Sequence, residues 1–183
     1  MYQQFLRGIA QYGSTADDVF HAYCRTPASA FHPQVILAPW WEPARFPAFA
    51  ERASLVGESA SVKVWEIAAT PEPITYLKTG IGAPLIMDAV LMLGLARCQQ
   101  VIFIGSVGAL VEEMGIGDIV LPEYSVCGDG ASRYLLGSPL QAHDPFGEKS
   151  YPHPGLYTGL KAVAQRVCSE RQVALHTVHT FSI

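Results

Sequence analysis

The sequence predicts an α/β fold with a mixed, mostly parallel sheet, and three observations support this. Segments rich in β-branched and aromatic residues alternate with helical segments along the chain. A short, wholly apolar run at 101–104 (VIFI) is typical of a strand buried on both faces of a sheet. The helical segment at 84–97 is apolar on nearly every side, which indicates packing beneath a sheet and a neighbouring subunit.

The predicted elements of the first half are bounded by prolines and glycines. The strands are, in order, 34–38 (QVILA), 61–69 (SVKVWEIAA) and 74–79 (ITYLKT). The first strand ends before Pro39, and a helix interrupted near Pro47 is predicted between 43 and 53. The turn at 71–73 (PEP) separates the other two strands.

The second half is predicted to contain strands, a helix and a long loop. The strands are 101–104, 118–121 (DIVL) and 173–181, and the loop is 137–155. Apolar residues at helical spacing run from Leu156 to Cys168 and predict a helix between the loop and the last strand. A length of 183 residues is that of one ordinary domain, so we predict a single domain over 1–183.

Composition excludes several classes of protein. Hydrophobic residues make up 50% of the chain and charged residues 15%, which is too apolar for disorder and too weakly charged for a coiled coil. The net charge of −4, without a basic run, argues against nucleic-acid binding. The longest apolar stretch, 83–96, contains Asp88 and is too short to cross a membrane. The N-terminus lacks the features of a signal peptide.

Cysteine and histidine spacing predicts no metal site. The four cysteines lie far apart, which indicates reduced thiols in a cytoplasmic protein. His176 and His179 are three apart on a predicted strand, so they point to opposite faces. Solvent exposure is the default interpretation of His21, His143 and His153. Their spacing alone identifies none of these histidines as catalytic.

Two glycine turns follow predicted strands, at 79–82 (TGIG) and 105–108 (GSVG). Glycine lets backbone approach a ligand closely, and successive N–H groups at a strand-to-helix turn can hold a small anion or a sugar hydroxyl. The alternative is that these glycines only form tight turns. The dinucleotide-binding fingerprint is not met, because Leu85 stands where its third glycine belongs.

A serine-hydrolase site is a further alternative. Residues 104–108 (IGSVG) differ by one residue from the nucleophile elbow G-x-S-x-G, which would make Ser106 the nucleophile. The acid and base candidates follow in the right chain order: Asp118, Asp129 or Asp144, and His153, His176 or His179. Gly115 and Gly117 come too soon after Ser106 for the long helix that an elbow requires.

Six segments in order carry a resemblance to one known family. They are DVFH at 18–21, VILAP at 35–39 with EPAR at 42–45, TGIGAP at 79–84, IGSVGA at 104–109, GDIVLP at 117–122 and DGAS at 129–132. With these motifs the chain resembles the nucleoside phosphorylases, the family of uridine phosphorylase and the hexameric purine nucleoside phosphorylases. The resemblance implies a three-layer α/β/α fold that assembles as dimers within a hexamer.

The resemblance also implies an activity. The family carries out reversible phosphorolysis of a nucleoside to free base and ribose 1-phosphate, with inorganic phosphate as co-substrate and no other cofactor. Arg45, Gly82 and Ser106 match positions that bind phosphate, and Ser106 lies near the ribose as well. His21 matches a histidine that binds the ribose 5′-hydroxyl in a neighbouring subunit, while Val107 and Gly108 match the base pocket.

The chain departs from the family in three places. Trp40 and Trp41 occupy a stretch in which the family has a glycine, and Phe103 stands where the family has a second phosphate-binding arginine. These two departures keep open a nucleosidase that uses water, and a non-catalytic nucleoside-binding protein of the same fold is the other alternative. The family's later segments, which hold the ribose hydroxyls and assist the leaving base, have no counterpart up to Ile183. We therefore expect this chain alone to be nearly inactive, and its catalytic residue stays unassigned.

Overall fold

The computed structural model describes residues 2–131 and 146–182. Two compact units divide the chain, Met1–Ser106 and Val107–Ile183. The expectation of a single domain over 1–183 stays a prediction.

The first unit contains a five-stranded sheet with helices and short turns between its strands. Its strands are β1 (Gln34–Ala38), β2 (Ala53–Glu58), β3 (Lys63–Ile67), β4 (Ile74–Lys78) and β5 (Gln100–Phe103). Its helices are α1 (Tyr2–Gln11), α2 (Ala16–Cys24), α3 (Pro47–Ala50) and α4 (Ala83–Leu93), with 3₁₀ turns at Ala28–Ala30 and Pro43–Arg45. The strands lie in the order β2-β3-β4-β1-β5.

The central strand β1 pairs in parallel with β4 on one side and with β5 on the other. Leu37 lies opposite Leu77 of β4 and Phe103 of β5, so the three strands end together. The remaining pairs, β2 with β3 and β3 with β4, are antiparallel. The mixed sheet that the sequence predicts is therefore present, with its parallel strands grouped on one side.

Alternate residues of the strands enter two cores on opposite faces of the sheet. One core joins Val35, Leu37 and Leu77 to buried residues of α2 and α4. The other contains Ala38 and Tyr76 and is packed by aromatic residues of the segment that follows β1. Helices thus cover one face, and an aromatic layer covers the other.

The helix predicted between 43 and 53 and interrupted near Pro47 is confirmed only in its first part. A 3₁₀ turn and the one-turn helix α3 occupy its first part, and residues from Ala53 onward form β2. Strand β2 pairs with β3 through a register shift between Leu55 and Gly57. Gly57 is buried there, and a Cβ at this position would lie 2.6 Å from the Cys24 carbonyl oxygen. A glycine at this position permits the close approach of the end of α2, a contact that no local pattern indicates.

Two other expectations also need correction. The apolar helix predicted at 84–97 is α4, which ends at Leu93. A Cβ at Gly94 would lie 2.7 Å from the Tyr2 ring, so α1 packs closely against the end of α4. The run at 101–104 forms β5 as predicted, but β5 is the edge strand of the first unit's sheet and is not buried on both faces, since Phe103 is 55% exposed.

The second unit contains three described strands and one long helix. They are β6 (Ile119–Cys127), β7 (Lys149–Ser150), α5 (Pro154–Arg171) and β8 (Leu175–Ser182). β6 lies between an antiparallel β7 and a parallel β8. The predicted strands at 118–121 and 173–181 and the predicted helix are confirmed. Of the predicted loop at 137–155, residues 137–145 lie outside the described part, and the rest includes β7 and the start of α5.

Three of the four cysteines, Cys24, Cys127 and Cys168, are buried. Burial raises the pKa of the Cys24 thiol to about 11. None of the described helices has both the length and the hydropathy that a membrane crossing requires.

Replacement of Phe20 tests the core beneath α2. The Phe20 ring is fully buried and packs edge-on against Phe31, with ring centroids 4.6 Å apart. We expect Phe20→Ala to lower the free energy of unfolding by about 3–5 kcal/mol in a urea titration, because the cavity it leaves is enclosed. Tyr12→Ala is the matched control, since that ring is 85% exposed and should change stability by less than about 0.5 kcal/mol. Equal losses in the two variants would contradict the assigned core.

Candidate functional site

Three loops meet at one edge of the first unit's sheet. Parallel strands β4, β1 and β5 are neighbours, so their carboxyl ends share that edge, which is where α/β sheets bind ligands. The loop after β1 carries Arg45, the loop after β4 carries Gly82, and the loop after β5 carries Ser106. The three positions expected to bind phosphate therefore belong to adjacent loops.

Backbone hydrogen bonds extend the parallel pairing into these loops. The Thr79 N–H donates to the Ala38 carbonyl at 3.0 Å, and the Ile104 N–H donates to the Leu37 carbonyl at 2.9 Å. Thr79 is fully buried, and its hydroxyl donates to the Gly80 carbonyl at 3.0 Å. The starts of all three loops are thus fixed relative to β1.

The loop after β1 is anchored to the sheet at two points. The buried Tyr76 hydroxyl donates to the Trp41 carbonyl at 2.9 Å, and burial raises the pKa of Tyr76 to about 12. The Glu42 carboxylate accepts from the Lys78 ammonium at 2.9 Å and lies 3.4 Å from the Lys63 ammonium. The hydrogen bond from Lys78 is the main cause that lowers the pKa of Glu42. Glu42 is therefore ionised and holds the loop at neutral pH.

Arg45 is the last residue of the 3₁₀ turn in this loop and is exposed. Its guanidinium makes no hydrogen bond or ion pair within the described ranges 2–131 and 146–182. It lines an open cleft of about 440 Å³ together with Trp40, Trp41 and Phe46. An arginine whose guanidinium has no partner within the protein can bind an anionic ligand.

The loop after β4 has the backbone conformation that glycine permits. Gly80 and Gly82 have φ of +86° and +113°, and a Cβ on Gly80 would lie 2.9 Å from Leu85 Cδ1. Helix α4 begins directly after Gly82 with Pro84 in its first turn and no side-chain cap. The N–H groups of Ala83 and Leu85 in the first turn of α4 therefore have no capping side chain, and α4 follows the loop that is adjacent to the Arg45 loop.

The loop after β5 leads to Ser106, which is exposed. Gly105 allows this loop to pass close to the preceding side chain, because a Cβ there would lie 3.0 Å from the Phe103 ring and 3.8 Å from Pro39. Phe103 is 55% exposed and contributes no charge where the family resemblance leads one to expect an arginine.

His21 lies apart from these loops within the first unit. It is exposed on α2, whose start is fixed by a capping box between Thr15 and Asp18. Phe20 and Cys24 of the same helix are buried, so the adjacent His21 is directed to solvent. No hydrogen bond or ion pair of the described residues joins the His21 side chain to the strand-end loops. Its role in a neighbouring subunit's site stays a prediction.

Val107 and Gly108 belong to the second unit and are exposed. Their expected place in a base pocket stays a prediction. Among the residues that the structure describes, no three His, Cys, Asp or Glu side chains are grouped to hold a metal ion.

The serine-hydrolase alternative receives no support from the residues around Ser106. No helix occurs between Ser106 and Ile119, all of which are described, so the strand-turn-helix of a nucleophile elbow is missing. His176 Nε2 does lie 2.8 Å from Asp118 Oδ2 in the second unit. The hydrogen bond from the Gly115 N–H, followed by the one with His176, lowers the pKa of Asp118.

The other residues of that alternative serve the local structure or are not described. The His153 imidazole Nδ1 accepts from the Leu156 N–H at 3.5 Å and caps α5. The His179 ring stacks on Tyr124 with centroids 4.0 Å apart. Asp144 lies outside the described residues, and so does His143, which is not part of this alternative.

The sequence profile of the phosphorylase superfamily matches residues 42–182. The chain belongs to this superfamily. Its fold is similar to that of uridine phosphorylase from Vibrio fischeri ES114, with a TM-score of 0.69, 24% identity, and coverage of 86% of this chain and 61% of that one. Purine nucleoside phosphorylase from Toxoplasma gondii gives a TM-score of 0.68 and 21% identity, with coverage of 86% and 59%. No curated protein matches the sequence significantly.

These likenesses confirm the phosphorylase-like α/β fold that the sequence predicts. At such identities they show the fold alone, and the chain spans about three-fifths of the length of each solved structure. The superfamily match itself covers the loops that carry Arg45, Gly82 and Ser106.

Sequence reasoning missed the residues that support the Arg45 loop. Tyr76 and Lys78 lie in no motif, and Glu42 belongs to the EPAR segment but receives no role from it. One signal was available, because Tyr76 and Lys78 are two apart on a strand and so share a face. A buried strand that places a tyrosine and a lysine on one face needs polar partners for both, and the loop after β1 supplies them.

Neutralising Glu42 tests the anchor. Since the pKa of Glu42 is lower in the folded than in the unfolded chain, its ion pairs stabilise the fold above the ordinary pKa of a glutamate and cease to do so as the pH falls through the lowered value. We expect Glu42→Gln to reduce the free energy of unfolding by about 0.2–1 kcal/mol at pH 7, since the pair is partly exposed. The difference should vanish in acid.

The control for this measurement is Glu51→Gln. Glu51 is exposed, and no described residue forms an ion pair with it, so its replacement should leave stability nearly unchanged at both pH values. A loss in Glu42→Gln that is the same at pH 7 and in acid would show that the carboxylate charge does not anchor the loop.

Proposed function

We propose that this protein is an enzyme of the nucleoside phosphorylase type, which transfers the ribosyl group of a nucleoside to inorganic phosphate. The observation that carries the proposal is the Arg45 guanidinium, which has no partner among the described residues and lies on the loop adjacent to the uncapped start of α4. Both features suit an oxyanion, and both belong to the segment that matches the superfamily. Gly82 and Ser106 would complete the phosphate site, with Ser106 near the ribose.

The chemistry requires an anion at this edge of the sheet. A phosphate oxygen forms a bond to C1′ of the ribose as the C1′–N bond breaks, and the electron pair of that bond leaves with the base. Positive charge develops on the ribose and negative charge on the base, so a phosphate dianion beside the sugar stabilises the transition state. The base takes up a proton on release, from a donor that is not assigned to any residue of this chain.

The subunit arrangement, the base pocket and the cellular location follow from the same proposal. His21, exposed on α2, would bind the ribose of a neighbouring subunit, which makes a homodimer the smallest complete unit and a hexamer the larger assembly. Val107 and Gly108 would line the base pocket. We place the enzyme in the cytoplasm, where it would serve nucleoside salvage.

Hydrolysis of the same bond is the second candidate. It is favoured by Phe103, which supplies no second cation at the phosphate site, and by the indoles of Trp40 and Trp41 beside Arg45. Water would then take the place of phosphate as the nucleophile, and the products would be free base and ribose.

Phosphate binding is the first test of this function. In calorimetry we expect the wild-type chain to bind inorganic phosphate, and Arg45→Ala to weaken that binding by about 10- to 150-fold, the effect of one lost charge-assisted contact. Arg7→Ala, which removes an exposed arginine of α1, is the control and should bind as the wild type does. A wild-type chain that binds no phosphate would contradict the proposed site.

Release of base from uridine, inosine and adenosine, followed by chromatography, distinguishes the candidate reactions. Release that requires phosphate supports phosphorolysis, and release that does not respond to phosphate supports the nucleosidase. Nucleoside binding without any release, including by a longer chain that contains the family's later segments, would support the non-catalytic binding protein instead.

A further inference from the structure

The cleft formed by Trp40, Trp41, Arg45 and Phe46 has more binding surface than a phosphate ion uses. We propose that this indole cleft binds a planar aromatic group that carries an anionic substituent. The ring would lie against the Trp40 indole, and the substituent would bind the Arg45 guanidinium. This chemistry is shared by nucleoside monophosphates and by simple aryl phosphates.

The walls of the indole cleft are aromatic and partly open to solvent. The Trp40 and Trp41 ring centroids are 6.2 Å apart with an angle of 51° between the planes, and Trp40 is 44% exposed. The Trp41 ring meets Phe46 edge-on at 6.0 Å. An exposed indole face offers a large apolar surface on which a second ring gains stacking energy. The volume of about 440 Å³ is that of a small-molecule site.

The inner wall of the cleft is fixed before any ligand binds. The Trp41 carbonyl accepts the hydrogen bond from the buried Tyr76 hydroxyl, and the Phe46 ring lies 6.4 Å from the Tyr76 ring. Phe49 packs against both Phe46 and Tyr76, at 5.8 and 6.2 Å. A preformed wall lowers the ordering cost of binding, which favours a rigid planar ligand.

The charge of the indole cleft selects an anion. The two lysines near its loop, Lys63 and Lys78, are both paired with Glu42. Arg45 is left without a partner among the described residues, and its planar fork can bind two oxygens of a phosphate or carboxylate. A nucleic acid is a poor fit, because the chain has a net charge of −4 and no basic run.

This inference rests on the proposed function in one respect, since both place an anion on Arg45. It goes further because it assigns Trp40 and Trp41 a role in binding a planar ring. The ligand would be either a competitor of phosphate or a substrate whose own phosphate group occupies Arg45, and in both cases the ring contact belongs to Trp40.

Tryptophan fluorescence excited at 295 nm tests the proposal on the wild-type chain. Of the three tryptophans, Trp65 is only 9% exposed, so a ligand-dependent change reports mainly on Trp40 and Trp41. The probes are AMP and phenyl phosphate, with inorganic phosphate as the anion without a ring and adenosine as the ring without an anion. We expect at least one of AMP and phenyl phosphate to bind about tenfold or more tightly than inorganic phosphate and adenosine do.

Four variants, one of them a control, identify the contacts. Trp40→Ala should weaken binding of the preferred probe by about 5- to 150-fold, the range for loss of one stacked ring, and Trp40→Phe should restore most of it. Arg45→Ala should weaken the same binding by about 10- to 150-fold. Tyr12→Ala removes an exposed ring of similar size from the end of α1 and should have no effect. A urea titration of each variant confirms that it folds.

Each outcome decides the question. Tighter binding of AMP alone identifies a nucleotide as the ligand, and tighter binding of phenyl phosphate, alone or with AMP, identifies a general aryl anion site. The proposal is overturned if neither probe exceeds inorganic phosphate, if adenosine binds as tightly as the tighter of the two probes, or if Trp40→Ala binds like the wild type. Phosphate binding that depends on Arg45 without any ring preference would leave the proposed function intact. Ring-dependent binding without phosphate binding or base release would refute the proposed function alone.

Discussion

Parallel hydrogen bonding of β1 to both β4 and β5 is the constraint on which the candidate site depends. It aligns the carboxyl ends of three strands, so loops that are distant in sequence begin side by side. The bonds from Thr79 to Ala38 and from Ile104 to Leu37 carry this alignment one residue beyond the strands. A register shift in either pair would move a whole loop by a residue and turn its first side chain to the other face. The core residues on both faces of β1 hold that register, because a shift by one residue would move each of them to the opposite face of the sheet.

The two faces of the first unit's sheet have different structural roles. One is packed by α2 and α4 and contributes stability through aliphatic and phenyl side chains, among them Phe20 and Phe31. The other is packed by a layer of aromatic rings centred on Tyr76, whose hydroxyl also fixes the loop of Arg45. Tyr76, which fills this core, therefore also positions the loop that carries Arg45. Substitutions in the aromatic layer would consequently affect ligand binding even where they touch no ligand.

Much of the first unit could be predicted from local sequence. The strands β1, β3 and β4 are short apolar or β-branched runs bounded by proline or glycine, and α4 follows a glycine turn. β2 could not be predicted, since its pairing with β3 and the close packing of Gly57 on α2 arise only in the folded chain. Nor could the Tyr76 contact, which joins residues 35 apart. Motifs indicated Arg45, Gly82 and Ser106, but only the strand order shows that their loops are neighbours.

The balance of charge at the edge of the sheet explains why the aromatic side chains matter. Glu42 engages Lys63 and Lys78, so these two cations support the loop and do not add to the attraction for a ligand. Phe103 adds no charge from β5. Among the described residues of the three strand-end loops, Arg45 and the first N–H groups of α4 remain as candidates to bind an anion. A single guanidinium in contact with solvent holds a small, strongly hydrated dianion weakly, because the ion keeps much of its hydration shell. Contact of a ligand ring with Trp40 would bury apolar surface and would exclude water from one side of the ion pair between Arg45 and the anion. A larger, aromatic ligand would thus compensate for the missing second cation.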